Sequence, residues 1–341
     1  MKTKVNKTYN YLIRISIVLA TYGFLYFHIF HKRNLLEVYR MFKTLIIQDF
    51  FIAGLILVFL VMLLNWAIET WKWKFLIKKI EHTNFFQAYQ GVLTGISVSA
   101  FLPNRIGDYL GRVFILRKAN HVEGILITMV GSISQLIVII FIGSVALLIA
   151  LPKYFSEHSY YSELIYWGIV ISVVVINFFI ILFYFNISIL SSFLLRFTRK
   201  SWQKLRKHLI AFSYFSRKEL LTALALSAIR YLVFSIQFYF LLRLFSVNIP
   251  FAEAFLLIFF FFFILTAIPT IALAEIGVRG SIGLFVFGLY FQKGEADMQV
   301  LDIGILSASS MLWLINIVIP AIAGTFFVFR LKFFRKNNKS T

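Results

Sequence analysis

The sequence predicts an all-α polytopic membrane protein with about 6–8 transmembrane helices and one or two re-entrant, broken-helix hairpins. Three observations predict it. Of the 341 residues, 60% are hydrophobic and only 14% charged, where a soluble chain sits nearer half apolar and a quarter charged. Several apolar runs reach the ~20 residues that span a bilayer as helix. Two matching polar breaks then interrupt that apolar sequence, one in each half of the chain. They are Pro103-Asn-Arg-Ile-Gly-Asp108-Tyr-Leu-Gly-Arg112 and Pro269-Thr-Ile-Ala-Leu-Ala-Glu275-Ile-Gly-Val-Arg279. No polar stretch is long enough for a separate soluble domain, so residues 1–341 read as a single integral membrane domain.

The strong spans are expected near 11–30, 50–70, 123–151, 163–186, 219–244 and 301–329. The first ends in Phe-His-Ile-Phe-His-Lys-Arg with no small-residue cleavage site, which predicts a retained helix rather than a signal peptide. Residues 31–49 place Leu35, Val38, Tyr39, Phe42, Leu45 and Ile46 at helical spacing, the pattern of an interfacial amphipathic helix. Residues 193–212 repeat the pattern, with Trp202 at headgroup level. Segments 86–102 and 251–268 lead into the two breaks, and short apolar pieces at 108–117 and 277–291 follow them. At ~1.5 Å per residue, the piece 277–291 reaches about 22 Å, short of a ~30 Å hydrocarbon core. Pro320 is expected to kink the last span.

Charge sets the expected path through the membrane. The net charge is +20, and twenty-four of the 34 Lys and Arg fall into five clusters beside apolar runs. These are the N-tail (Lys2, Lys4, Lys7), residues 72–79, 105–118 and 196–218, and the C-tail from Arg330 to Lys339. Basic residues flanking spans report cytoplasmic sides and attraction to anionic lipid, not nucleic acid. Both termini are therefore expected in the cytoplasm, the membrane being the bacterial cytoplasmic (inner) membrane. If 86–102 crossed, one of the basic stretches around it would lie outside. A re-entrant hairpin entering from the cytoplasm avoids that, provided protein or a water-filled cavity surrounds the break. Residues 251–291 form either two spans or a hairpin entering from outside. The second choice makes 50–151 and 219–329 an inverted repeat, a common transporter design.

Cysteine is absent, which removes disulfides and thiolate chemistry. There is no HExxH, nucleophile elbow or P-loop, so neither an enzyme nor a nucleotide-driven pump is expected, and no cofactor or metal site. His28 and His31 lie together without a third ligand. The candidate binding residues are Arg105, Asp108, Arg112, Arg230, Glu275 and Arg279. Asp108–Arg112 and Glu275–Arg279 are spaced i, i+4 and share a helix face. One reading is a local pair that neutralises itself at the interface. The other is that Arg105, Arg112 and Arg279 coordinate a lipid phosphate, which suits the planar arginine fork, while the acids orient them or contact an amine. Arg230 stands about 15 Å into the 219–244 span and needs a partner; Asp108 and Glu275 are the expected acids. Gln237, seven residues on, shares its face. Gly91, Gly95, Gly107 and Gly111 have the spacing of close helix packing, as do Gly277, Gly280 and Gly283. Asn65, Gln135, Asn177 and Asn316 are expected to bond between helices.

At these breaks the sequence resembles the family named for the transmembrane region of lysylphosphatidylglycerol synthase, the flippase-like membrane proteins. Leu102-Pro103-Asn104-Arg105-Ile106-Gly107-Asp108 through Arg112 fits its first signature. Pro269 followed by Ala274-Glu275-Ile276-Gly277-Val278-Arg279 fits its second. The family often has glycines at the positions of Ala274 and Glu275, and an acid at that of Gly280. Fused members add a cytoplasmic aminoacyl-transferase domain, so the chain resembles the stand-alone form. The resemblance implies lipid translocation or an accessory role in lipid modification. The expected function is binding, and flipping, of an anionic or aminoacylated phospholipid or lipid-linked molecule. The alternative is a non-transporting partner or scaffold of a lipid- or glycan-modifying enzyme. Membrane lipids with anionic headgroups are the expected partners, and nucleic acid is not.

Overall fold

A computed structural model describes residues 50–99, 106–156, 162–186, 214–268, 272–291 and 298–328, with positions 15 and 19. Among these residues there are nine helices and no strand. They are α1 (Phe51–Ile77), α2 (Phe85–Ser99), α3 (Ile106–Val113), α4 (His121–Phe155), α5 (Glu163–Phe185), α6 (Arg217–Leu244), α7 (Phe251–Ala267) and α8 (Ala272–Phe291). The ninth, α9, runs Met298–Trp313, passes through a π-helical turn at Leu314–Val318 and continues as Ile319–Val328. Helices α1, α4, α5, α6 and α9 are long and apolar enough to cross a membrane. The chain is a multi-pass, all-α membrane protein. The expected span 11–30, the interfacial segments 31–49 and 193–212, the turn holding Pro103 to Arg105, and both tails lie outside the described residues.

Apolar composition all round a helix needs lipid on most sides. Helix α5 is the extreme case, burying only Asn177 and Tyr184. Those two are its anchors. The Asn177 amide donates to the Ser144 hydroxyl at 3.1 Å, and the Tyr184 hydroxyl lies 2.7 Å from Ser134 and donates to the Leu220 carbonyl at 3.0 Å.

Helix starts are capped by side chains that satisfy exposed amides. Asn120 accepts from the Val122 amide ahead of α4, and Ser216 with Glu219 forms a capping box on α6. Glu81, just past α1, accepts the amides of Arg117, Lys118 and Ala119 at 2.7–3.1 Å. That ties the turn after α1 to the turn before α4.

The break after α2 returns as an antiparallel pair. Gly91 faces Ile115, Gly95 faces Asp108, and Gly107 faces Val98. A Cβ on Gly111 would sit 2.5 Å from the Cα of Gly95, so these two backbones touch. The glycines do here what their spacing predicts. On its other side α2 packs on α9, where Ser97 donates to the Ala321 carbonyl at 2.6 Å. Helices α1 and α6 run side by side, joined by Gln237 donating to the Val58 carbonyl at 3.0 Å. Phe261 of α7 packs between Phe238 of α6 and Phe287 of α8. Lys153 and Tyr154 at the end of α4 both bind Glu253 at the start of α7.

Two expectations change. The span read as 50–70 is a helix to Ile77, and Lys72, read as part of a basic flank, is 2% exposed. The reason is that Glu69 and Lys72 pair at i, i+3 inside the bundle, at 2.9 Å, so the charge does not end the helix. The piece read as 277–291 begins at Ala272; its 20 residues rise about 30 Å and match a full hydrocarbon thickness. Beside Pro320, where a kink is expected, the helix passes through a π-helical turn just upstream. The Ile319 amide reaches back five residues to Leu314, because proline has no N–H to offer the Asn316 carbonyl.

Candidate functional site

Asp108, Arg112, Arg230, Glu275 and Arg279 line one cavity of about 520 Å³, joined there by Glu69 and Lys72. A cavity of that volume accommodates a small-molecule headgroup. The structure thus brings five of the six sequence-derived candidates together. Arg105 lies outside the described residues. Four helices supply the charged groups: α1, α3, α6 and α8.

Both i, i+4 pairs form. Arg112 gives Nε to Asp108 Oδ1 and Nη2 to Asp108 Oδ2, each at 2.7 Å, the two-bond fork expected of arginine and carboxylate. Arg279 gives Nε at 3.1 Å and Nη2 at 2.7 Å to one oxygen of Glu275. Both arginines are buried. The fork of Arg112 is therefore spent on Asp108, and its Nη1 on Glu69 at 2.7 Å.

Glu69 is the residue that sequence reasoning missed. It meets Lys72 at 2.9 Å, Arg112 at 2.7 Å and Arg230 at 3.3 Å, cations from three different helices. Arg230, for which Asp108 and Glu275 are the expected acids, meets the carboxylate of Glu69. Helix α6 lies against α1, which brings Arg230 level with Trp66 and Glu69, and its guanidinium stacks 5.2 Å over the Trp66 ring. Arg230 also donates to Gln135 at 3.1 Å, and Lys72 donates to Ser227 at 3.3 Å. A signal for Glu69 did exist: a carboxylate and a lysine three apart, at the end of an apolar run, share one helix face.

Beneath the charges runs a neutral polar chain. Asn65 donates to Asn316 at 3.4 Å, Asn316 to Gln237 at 2.9 Å, and Gln237 to Val58. Gln237 thus serves α1 and α9 rather than Arg230. Asn65, Gln135, Asn177 and Asn316 all bond between helices, as their isolation in apolar sequence predicts.

Among the described residues that line the cavity, four cations face three carboxylates. Arg230 is the most accessible of the four cations, with 21% of its side chain exposed against 2–7% for the others.

A family model described as the lysylphosphatidylglycerol synthase TM region matches residues 11–298, so the chain belongs to that family. No curated protein and no solved structure matches it.

Proposed function

We propose that this member of the family binds the phosphate-bearing headgroup of an anionic or aminoacylated phospholipid, or of a related lipid-linked molecule, and moves it between leaflets. The observation that carries the reading is the single cavity with its four cations and three carboxylates, set among helices with apolar outer faces. Ionisable groups at that depth are costly unless paired or used. Here the pairs keep the charges neutralised, and Arg230 is the cation that presents itself to a phosphate.

The test is transbilayer exchange of a fluorescent anionic lipid in liposomes that contain the purified protein. Exchange should accelerate, and Arg230→Lys should slow it several-fold, because lysine keeps the charge but loses the planar fork. If the protein leaves exchange unchanged across varied headgroups, the transport reading fails. The scaffold of a lipid- or glycan-modifying enzyme then takes its place.

The same reading puts the protein in the bacterial inner membrane with both termini in the cytoplasm and the α2–α3 break entering from that side. The absence of native cysteine makes labelling direct. A cysteine at Asn104 should react from the cytoplasmic side and one at Ser156 from outside. Outside labelling at Asn104 would overturn the cytoplasmic hairpin.

A further inference from the structure

The last turns of α5 and the first turns of α6 leave a groove of about 510 Å³ between them, which shares no lining residue with the central cavity. Its walls are apolar. Phe178, Ile181, Leu182 and Phe185 recur at i, i+3, i+4 and i+7 on α5, and Leu221 of α6 completes the lining. Phe178, Leu182 and Leu221 remain exposed, so the groove opens outward. Its mouth is basic: Arg217 and Lys218 stand about one turn before Leu221 on α6, and both are exposed. Arg217 donates to the Asn186 side-chain oxygen at 3.4 Å, across the mouth. Neither cation has a carboxylate partner among the described residues. The acid beside them is engaged elsewhere, since Glu219 pairs with Lys79 at 2.8 Å and closes the capping box with Ser216. The groove also borders a thin attachment. Helix α5 buries only Asn177 and Tyr184, and Phe178 and Phe185 follow those anchors by one residue. Whatever fills the groove therefore packs on α5 and α6 together.

We propose that this groove binds an anionic phospholipid of the adjoining leaflet, with an acyl chain along the apolar wall and the phosphate on Arg217 and Lys218. The chemistry fits at both ends. Hydrocarbon fills the apolar part without cost, and from Phe178 to Asn186 the wall rises about 12 Å toward the mouth. There a guanidinium meets phosphate through parallel donors, and the ammonium adds a point charge. A zwitterionic lipid brings the same chain, but its own cation opposes the two at the mouth. The bound lipid is a wedge that fastens α5 to α6. It is not cargo, and the site stands whether or not the central cavity moves lipid.

The experiment places a bimane label in the groove at Leu221→Cys, in a chain with no native cysteine. Ile171→Cys, exposed on α5 and outside the groove, is the reference. Full-length protein is reconstituted in liposomes of phosphatidylglycerol and phosphatidylcholine, with brominated chains on one lipid or the other. At Leu221 the brominated glycerol lipid should quench with an apparent affinity about fivefold or more above that of the choline lipid. At Ile171 the two should quench alike. The added pair Arg217→Gln, Lys218→Gln should bring the ratio at Leu221 down to that at Ile171. Both side chains are exposed, so folding should survive. If the pair is lost on extraction, Lys218→Gln alone should lower the ratio. Equal quenching at Leu221 by the two lipids means ordinary lipid contact and overturns the proposal. Quenching by neither means that protein covers the groove, which overturns it too. So does a preference that outlasts removal of the cations.

Discussion

The double variant Asp108→Arg, Arg112→Asp is expected to yield no folded protein. An isolated i, i+4 ion pair on a helix surface survives exchange of its members with a change of a few tenths of a kcal/mol. This pair is not isolated. Exchange puts the aspartate where Arg112 now meets Glu69 at 2.7 Å, so two carboxylates face each other in the bundle. It also takes one of the three cations from Glu69. Breaking a buried charge pair costs about 3–5 kcal/mol, and the new repulsion adds to that. Against a total stability of about 5–15 kcal/mol for a typical domain, the loss is decisive. Size-exclusion profile and thermal midpoint in detergent, compared with wild type, give the readout. A monodisperse double variant with an unchanged midpoint would show that Asp108 and Arg112 form a self-contained pair and that Glu69 is incidental to it.

Substitution of Gly111 by valine should be nearly as damaging, by a route that involves no charge. The first carbon of the new side chain would lie 2.5 Å from Gly95 Cα, 2.7 Å from Gly95 N and 2.8 Å from the Thr94 carbonyl. All three are backbone atoms, so no side chain can swing aside. Overpacking in a core costs about 1–3 kcal/mol, and more where the obstruction is main chain. The short helix α3 must lift off α2, and Arg112, one residue on, moves away from Glu69. Gly168→Ala is the control, since nothing lies within 4 Å of its added carbon. The check is the thermal midpoint of each variant: Gly111→Val should fall by several degrees or fail to fold, and Gly168→Ala should match wild type. A wild-type midpoint for Gly111→Val would mean that the α2–α3 contact is not needed.

The membrane helices were legible because an apolar run of some twenty residues has one stable home. The α2–α3 pair was legible for a different reason. Four glycines at small-xxx-small spacing marked the face that packs. Both i, i+4 pairs were legible because their geometry is local. What escaped is non-local. Glu69 and Lys72 sit where an apolar run gives way to charge, and there a span end and a buried ion cluster look alike. Only the arrival of Arg112 from α3 and Arg230 from α6 decides between them, across 43 residues in the first case. The start of α8 at Ala272 escaped for a related reason: Glu275 was read as part of a polar break, yet it is paired within the helix by Arg279. Charges that neutralise each other internally cease to act as boundaries.

The π-helical turn in α9 has a consequence for reading this sequence beside others. A π turn accommodates one extra residue, and one residue is about 100° of helical rotation. Everything after Val318 is therefore turned by that angle relative to an uninterrupted helix through Trp313. That rotation brings Ala321 and Gly324 round to α2, where Ser97 bonds the Ala321 carbonyl and Gly324 lies against Leu93. A relative lacking the bulge reaches the same contact with one residue fewer. Its small residues would then align with those of this chain only if a single-position gap is opened between 314 and 318, and an ungapped pairing would match the wrong faces of the two helices.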